Sequence, residues 1–397
     1  MLEMQQISGL ELLEYIQREN AAKHKVPNSL DRFNELKAAG DISNEWYERF
    51  QNECKNAALP NKYQDVAQYV TLKKHFDDIW RVILGSSEAI ATPNMTPING
   101  PPIFGTIPMN KFAARVTKHT LSDKTLLTSS EDVVLISNEL LNFARNFGAL
   151  VAEMIPVVGN TQDRIDKQNL EVILDKNKII KKAKNNKILK RNFCLMILEY
   201  FMAVDDNRNH NLFAFTTKNE LLASDLTNSF ISFILSHEFA HIVCGHTEIS
   251  EKQKTEEGKI SEEWIVELQA DLVAFNWALE VTREHTNIQL GAIGIFLCFD
   301  SFIIFDRLEN LKLDSSNDFI DFKSTHPPGI MRRMQLMDPL EHTGPSLVTE
   351  CANAINHIII NIYLSEFEKI FEDCKKRFRG EFTLGDILNY VVEYFKQ

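Results

Sequence analysis

Two histidines four residues apart, with a glutamate beside the first, stand in the stretch SHEFAHIVCGH between Ser236 and His246. On a helix this spacing is about one turn, so the imidazoles of His237 and His241 can converge on one cation. Glu238 lies one position further round the helix, where it can contact a water bound to that cation. Two nitrogen ligands and a carboxylate base are the groups that a metal-activated water requires.

The three residues alone are a weak signal, since the pattern recurs by chance on the order of a few per cent of the time. Zinc also needs a third protein ligand, which leaves a fourth coordination position for water. We predict that the helix carrying the motif begins at Asn228 or Ser229, which favour an N-cap, and ends at Gly245. His246 then lies just past the helix end as a polar residue rather than as a ligand.

A second predicted helix, SEEWIVELQADLVAFNWALE from Ser261, offers the third ligand. Glu267 could complete a His-His-Glu site. Asp271, one turn later, could accept the free N–H of a ligand histidine and fix its tautomer. Glu263 lies in the first turn, where acidic residues complement the helix dipole. A solvated carboxylate pair is the alternative, but the apolar residues around Glu267 favour a ligand, and we predict one zinc ion per chain.

Two further matches carry a family resemblance. HEFAH followed by Glu267-x-x-x-Asp271 resembles the gluzincin metallopeptidases, and STHPPGIMRRMQL is similar to a segment of the HtpX and CAAX-prenyl-endopeptidase family. The HEFAH context also resembles the soluble phage-exclusion Lit-type peptidases. The histidine and arginine of the HtpX and CAAX-prenyl-endopeptidase segment map onto His326 and Arg332, so this resemblance implies that both lie by the active site, where such groups steady a tetrahedral oxyanion. The resemblance covers roughly residues 210 to 340. The sequence lacks the membrane helices of the HtpX and CAAX-prenyl-endopeptidase family.

The resemblance implies an α+β, mostly helical fold with a zincin-like catalytic domain that contains the HExxH helix and a small sheet. It also implies a zinc metalloendopeptidase that acts on protein or peptide substrates, with Glu238 as general base. Two alternatives stay open: a regulatory zinc protease like ImmA, and a binding protein that keeps a zincin fold without catalysis. ImmA-type proteins typically carry Asn where Asp271 stands. A metzincin would need Gly and His where Cys244 and Thr247 stand.

Composition excludes some partners. The chain has 397 residues, 44% of them hydrophobic, and a formal net charge of −12, so we expect no nucleic-acid or membrane partner. The basic stretch from Lys176 to Arg191 is interpreted as a solvated helix face. The apolar run from Leu290 to Phe305 contains Asp300 and is interpreted as a buried core helix. Six scattered cysteines without C-x-x-C spacing and an N-terminus unlike a secretory signal indicate a reducing, cytoplasmic location.

Patterning predicts the organisation along the chain. We expect a helical region, a Pro- and Gly-rich linker or long loop, a metallopeptidase domain and a C-terminal helical segment, over residues 1–85, 86–108, 109–345 and 346–397. Within the third part, helix is expected from Asp132, and FCLMILEYFMAV and NLFAFTT are expected to be strands. NLFAFTT could be an edge strand that holds substrate, or a core strand. The unassigned helical flanks leave room for an activating protein partner.

Overall fold

The structure is a computed structural model that describes most of the chain. The chain divides into two compact units, of which unit 1 contains residues 1–142 and 234–256 and unit 2 contains residues 143–233 and 257–397. Helices dominate both units, and each contains a small sheet, which confirms the α+β, mostly helical expectation. The described residues are 3–23, 61, 63–86, 101–107, 113–122, 125–158, 171–202, 217, 219–246, 262–285, 287–309, 326–343, 346–378, 384–396 and isolated positions between 34 and 59.

Unit 1 is built around a four-stranded sheet. In chain order its elements are β1 (Glu3–Gln6), α1 (Gly9–Lys23), α2 (Val66–Ser86), β2 (Ile103–Ile107), β3 (Ala114–Ser122) and β4 (Thr125–Ser137). The long strand β4 pairs in parallel with β1 along its first part and with β2 along its last part. On its other side β4 pairs with β3 in antiparallel fashion. Among the described strands β3 therefore lies at a sheet edge.

Helix α1 and the sheet bury a shared apolar cluster in unit 1. The cluster consists of Leu12, Leu13, Ile16, Ile107, Leu127, Val133 and Leu135. Gly105 on β2 permits the close approach of α1, because a Cβ atom there would lie 2.7 Å from Cδ1 of Leu13. Next to this contact the buried Gln17 amide donates to the Thr106 carbonyl over 2.6 Å, so polar groups at this junction are also paired.

Two predictions for unit 1 are wrong in part. Residues Ile103–Ile107, placed in a loop because of the surrounding Pro and Gly, form strand β2. The segment from Asp132, expected to be helical throughout, continues β4 as far as Ser137 before a helix starts. Its short run of Val, Leu and Ile is buried on both faces of the sheet, and such a run has no periodicity that separates a strand from a helix. The domain boundaries at 85, 108 and 345 stay a prediction.

The remaining elements are mostly helices. They are α3 (Asn138–Met154), β5 (Val157–Val158), β6 (Glu171–Val172), α4 (Lys176–Ala183), α5 (Lys187–Met202), α6 (Glu220–Val243), α7 (Glu262–His285), α8 (Ile288–Glu309), α9 (Gly329–Thr343), α10 (Ser346–Asn356), a π-helical segment (His357–Leu364), α11 (Ser365–Arg377) and α12 (Leu384–Tyr394). Strands β5 and β6 form a two-stranded antiparallel sheet. The division between the units falls within α3 and within α6.

Helix α8 is the core helix of unit 2 and contacts α7, α9 and α10. Among the described residues it is the one helix that is long and apolar enough to cross a membrane. Of its apolar window, 78% is buried inside the protein. The interpretation as a buried core helix is confirmed. Asp300, inside the apolar run, is buried and accepts a hydrogen bond of 2.9 Å from Nε of Arg333. A buried carboxylate with a charged partner is the arrangement that a protein interior tolerates.

Two strands expected in this part of the chain have different outcomes. FCLMILEYFMAV is wrong as a strand, because Phe193 to Met202 belong to helix α5. The segment contains Leu and Met, which favour helices. Because the helix is apolar on all sides, its sequence lacks the amphipathic pattern that would identify it as a helix. NLFAFTT lies, except for its last residue, outside the described residues. The lysines of the basic stretch are largely exposed on α4 and the start of α5, in keeping with a solvated face.

Candidate metal centre

The HEFAH motif lies near the C-terminal end of the long helix α6. The helix begins at Glu220, so the predicted start at Asn228 or Ser229 is wrong by two turns, and both residues are helix-interior positions. The Ser229 hydroxyl instead donates to the Asp225 carbonyl over 2.9 Å, so it bonds within the helix and does not cap its start. The predicted end is confirmed, since the helix stops at Val243 and Gly245 adopts φ 73°.

The two histidines of the motif point their Nε2 atoms at the same place. The Nε2 atoms of His237 and His241 are 3.0 Å apart, and the ring planes are nearly perpendicular, at 87°. Two nitrogens bound to one tetrahedral zinc at about 2.0–2.1 Å would stand about 3.3 Å apart. The observed separation is close to that value, so the pair fits one zinc ion with only a small adjustment.

Glu238 is buried beside the histidines and has an electrostatic partner on the sheet of unit 1. Burial lowers the pKa of Arg115 on β3, and the negative charge of Glu238 acts in the opposite direction, raising it. Each therefore lies within electrostatic range of the other. No local pattern marks Arg115 in the sequence, because 123 positions separate it from Glu238. The candidate base therefore interacts electrostatically with an arginine of the edge strand β3.

Two carboxylates in unit 2 lie on the buried face of α7, which is the second helix that the sequence predicts. Glu267 is 8% exposed and Asp271 is fully buried at 0%. Glu263, one turn before Glu267, is only half-buried. The candidate ligand Glu267 is therefore more deeply buried than Glu263, as expected for a glutamate in the first turn of the helix.

Arg332 of α9 binds both carboxylates. Its Nε and Nη2 each donate to one oxygen of Asp271 over 2.7 Å, and its Nη2 is 3.7 Å from Oε2 of Glu267. The guanidinium also stacks against Phe302, 4.6 Å from the ring centroid. Burial by itself lowers the pKa of Arg332, but the charges of Asp271 and Glu267 outweigh that effect and raise it. Arg332 is therefore a permanent, buried cation that orients two acidic side chains.

His326 reaches the same group from the turn before α9. Its Nε2 is 3.6 Å from Oε1 of Glu267, and its side chain is 44% exposed. Just after the HPP segment, the Gly329 amide donates to the Asp306 carboxylate of α8 over 2.7 Å. Helix α9 therefore begins in contact with α8. Both residues that the family resemblance singled out, His326 and Arg332, therefore lie beside Glu267, one accessible to solvent and one not.

The described residues contain one group of side chains that could hold a metal ion: His237, His241 and Glu267. Its donors are two imidazoles and a carboxylate, the set that zinc accepts in hydrolytic sites. These are the three ligands that the sequence predicted. The role of each of them, and of Asp271, stays a prediction. His246 contacts His241, which the sequence analysis did not anticipate.

The fold and this group define a mostly helical α+β protein with a candidate metal centre. Residues 158–343 match the model of the peptidase U49 family. The match contains the HEFAH helix, the Glu267 helix and the HPP segment, and it supports a peptidase family and thus a hydrolase of protein or peptide substrates. No curated protein and no solved structure matches the chain.

Proposed function

We propose that the protein is a zinc-dependent metalloendopeptidase of the gluzincin kind. His237, His241 and Glu267 would hold one zinc ion per chain, and Glu238 would act as general base. The observation that supports this most is the 3.0 Å approach of the two Nε2 atoms on a buried helix. The match of residues 158–343 to a peptidase family supports peptide-bond hydrolysis as the reaction.

Zinc, when bound, supplies a Lewis acid that lowers the pKa of water towards neutrality. Glu238 takes the proton from the attacking water and passes it to the leaving amine. His326 would donate a hydrogen bond to the oxyanion that develops on the scissile carbonyl, a role that its half-exposed position next to Glu267 supports. Arg332 is buried, so we propose that it serves the same reaction by holding Glu267 and Asp271.

We propose that substrate lies along strand β3. Among the described strands β3 pairs with β4 only, so its other edge can accept an extended peptide by β-augmentation. The charge of Glu238 acts on Arg115 of β3, and this interaction supports a peptide position along β3 that the general base can reach. The sequence predicts NLFAFTT for this role, and that segment lies outside the described residues except for its last residue.

The experiment that tests the proposal compares wild type with Glu238→Gln. Both proteins are purified without added metal, their zinc content is measured by elemental analysis, and new protein termini are mapped by proteomics in cells that express each one. We expect one zinc per chain in both proteins and new termini with the wild type only, with activity lower by several orders of magnitude in the variant. Glu284→Gln, at an exposed position of α7, is the control for expression and handling.

The two alternatives correspond to different results. Zinc in both proteins without new termini would support a non-catalytic binding protein on the same fold. A single cleaved regulator of transcription would support a regulatory protease like ImmA. A wild type with neither zinc nor affinity for zinc would refute the metal centre altogether.

A further inference from the structure

We infer that His246 is a positioning residue for the metal ligand His241. Its Nδ1 is 3.1 Å from Nδ1 of His241, while Nε2 of His241 faces Nε2 of His237. His241 is thus held between two histidines, one at each ring nitrogen. The inference rests on the proposed function, because it assigns His246 a role towards the zinc that His237 and His241 would share.

With zinc bound, the hydrogen bond between the two Nδ1 atoms would hold His241 in one tautomer. A neutral imidazole carries one proton, and Nε2 of His241 must be free of it to offer a lone pair to a cation. The proton is then on Nδ1 of His241, which donates to Nδ1 of His246 as acceptor. His246 in turn carries its own proton on Nε2. Ligand histidines commonly receive this support from a carboxylate or a carbonyl, and here an imidazole takes that part.

The end of α6 builds this contact. On a continuing helix His246, five positions after His241, would point about 140° away from it. The chain instead turns back at Gly245, whose φ of 73° is left-handed, and its amide donates to the Ile242 carbonyl over 3.0 Å. Glycine adopts this conformation without the clash that a Cβ atom brings. The turn places the His246 ring centroid 5.2 Å from that of His241.

The geometry distinguishes this role from direct ligation. His246 faces the Nδ1 side of His241, whereas the Nε2 side faces His237. The group of described side chains that could hold a metal contains Glu267 as its third member and not His246. His246 therefore acts on the metal through His241.

The test uses the full-length protein and three variants. His246→Phe keeps a ring of similar size but removes the acceptor. His246→Asn keeps an acceptor, because Oδ1 of Asn takes nearly the same place as Nδ1 of His. His285→Ala, at an exposed position at the end of α7, is the control. Zinc affinity is measured by competition with a chelating dye. The imidazole N–H signals of ¹⁵N-histidine-labelled, zinc-loaded protein are followed by NMR.

We expect His246→Phe to weaken zinc binding by about 10- to 100-fold, as the loss of such a partner does, and His246→Asn to restore it to within about threefold. The wild type and His246→Asn should show a slowly exchanging Nδ1–H signal from His241 that His246→Phe lacks. Wild-type affinity in the Phe variant would overturn the inference, and so would an Asn variant as weak as the Phe variant. A wild type that binds zinc but cleaves nothing leaves the positioning role intact, whereas a wild type that binds no zinc overturns both proposals.

Discussion

The ion pair between Arg332 and Asp271 provides a quantitative test of how α9 holds the carboxylates of α7. Arg332→Met removes two hydrogen bonds of 2.7 Å from a carboxylate whose own exposure is 0%. The carboxylate of Asp271 then stays buried without its cation. Breaking a buried pair in this way costs about 3–5 kcal/mol of stability. We expect that loss in urea unfolding of the metal-free protein, measured with a chelator present.

Arg333, the next residue, offers a matched control on the same helix. Its Nε donates to Asp300 over 2.9 Å, and both side chains are buried, but its partners lie on α8 and α10 rather than on α7. Arg333→Met should lose a similar amount of stability and keep its zinc affinity per folded molecule. Arg332→Met should also weaken zinc binding by about 10- to 100-fold, because Glu267 loses the cation 3.7 Å away.

The double variant Arg332→Met, Asp271→Leu separates the pair from its surroundings. Replacing both members of a buried pair by apolar groups of similar volume is often neutral or stabilising, so most of the lost stability should return. Equal zinc affinity in the two arginine variants would refute the link from Arg332 to Glu267. A loss of stability below about 1 kcal/mol in Arg332→Met would refute the prediction that Asp271 is left as a buried charge without its cation.

Three further predictions concern single carboxylates and a histidine. Glu267→Ala should abolish zinc binding in a metal titration and Glu263→Ala should leave it nearly unchanged, whereas the reverse would exchange their assignments. His326→Ala should lower turnover far more than zinc content, and normal turnover per zinc would remove it from the reaction. Burial raises the pKa of Glu139 from 4.5 to about 7, although a hydrogen bond from Asn142 acts to lower it. The unfolded chain therefore binds fewer protons between these pH values, and stability falls as the pH rises from about 4.5 to about 7. Glu139→Gln should remove this loss, at most about 3 kcal/mol at pH 8 in urea unfolding, and a variant with the same pH dependence as wild type would contradict it.

Local sequence determined the features that depend on one helical turn. The spacing of His237 and His241 makes their Nε2 atoms converge wherever the segment is helical, and the end of that helix follows from Gly245. The burial of Glu267 could be predicted from its apolar neighbours, while Glu263 keeps more solvent contact in the first turn. These features need no knowledge of distant residues, because the helix itself fixes the relative direction of side chains.

Tertiary structure decided everything that joins distant parts of the chain. The residues of β4 and of α5 are similar apolar runs, and only packing on both sides of a sheet or against other helices makes one a strand and the other a helix. Arg332 reaches Asp271 across 61 positions, and no local pattern says which of the two neighbouring arginines takes which carboxylate. Consecutive residues of a helix point about 100° apart, so the rotation of α9 against α7 and α8 makes that choice. That rotation is set by the packing of whole helices and not by any short segment of the sequence.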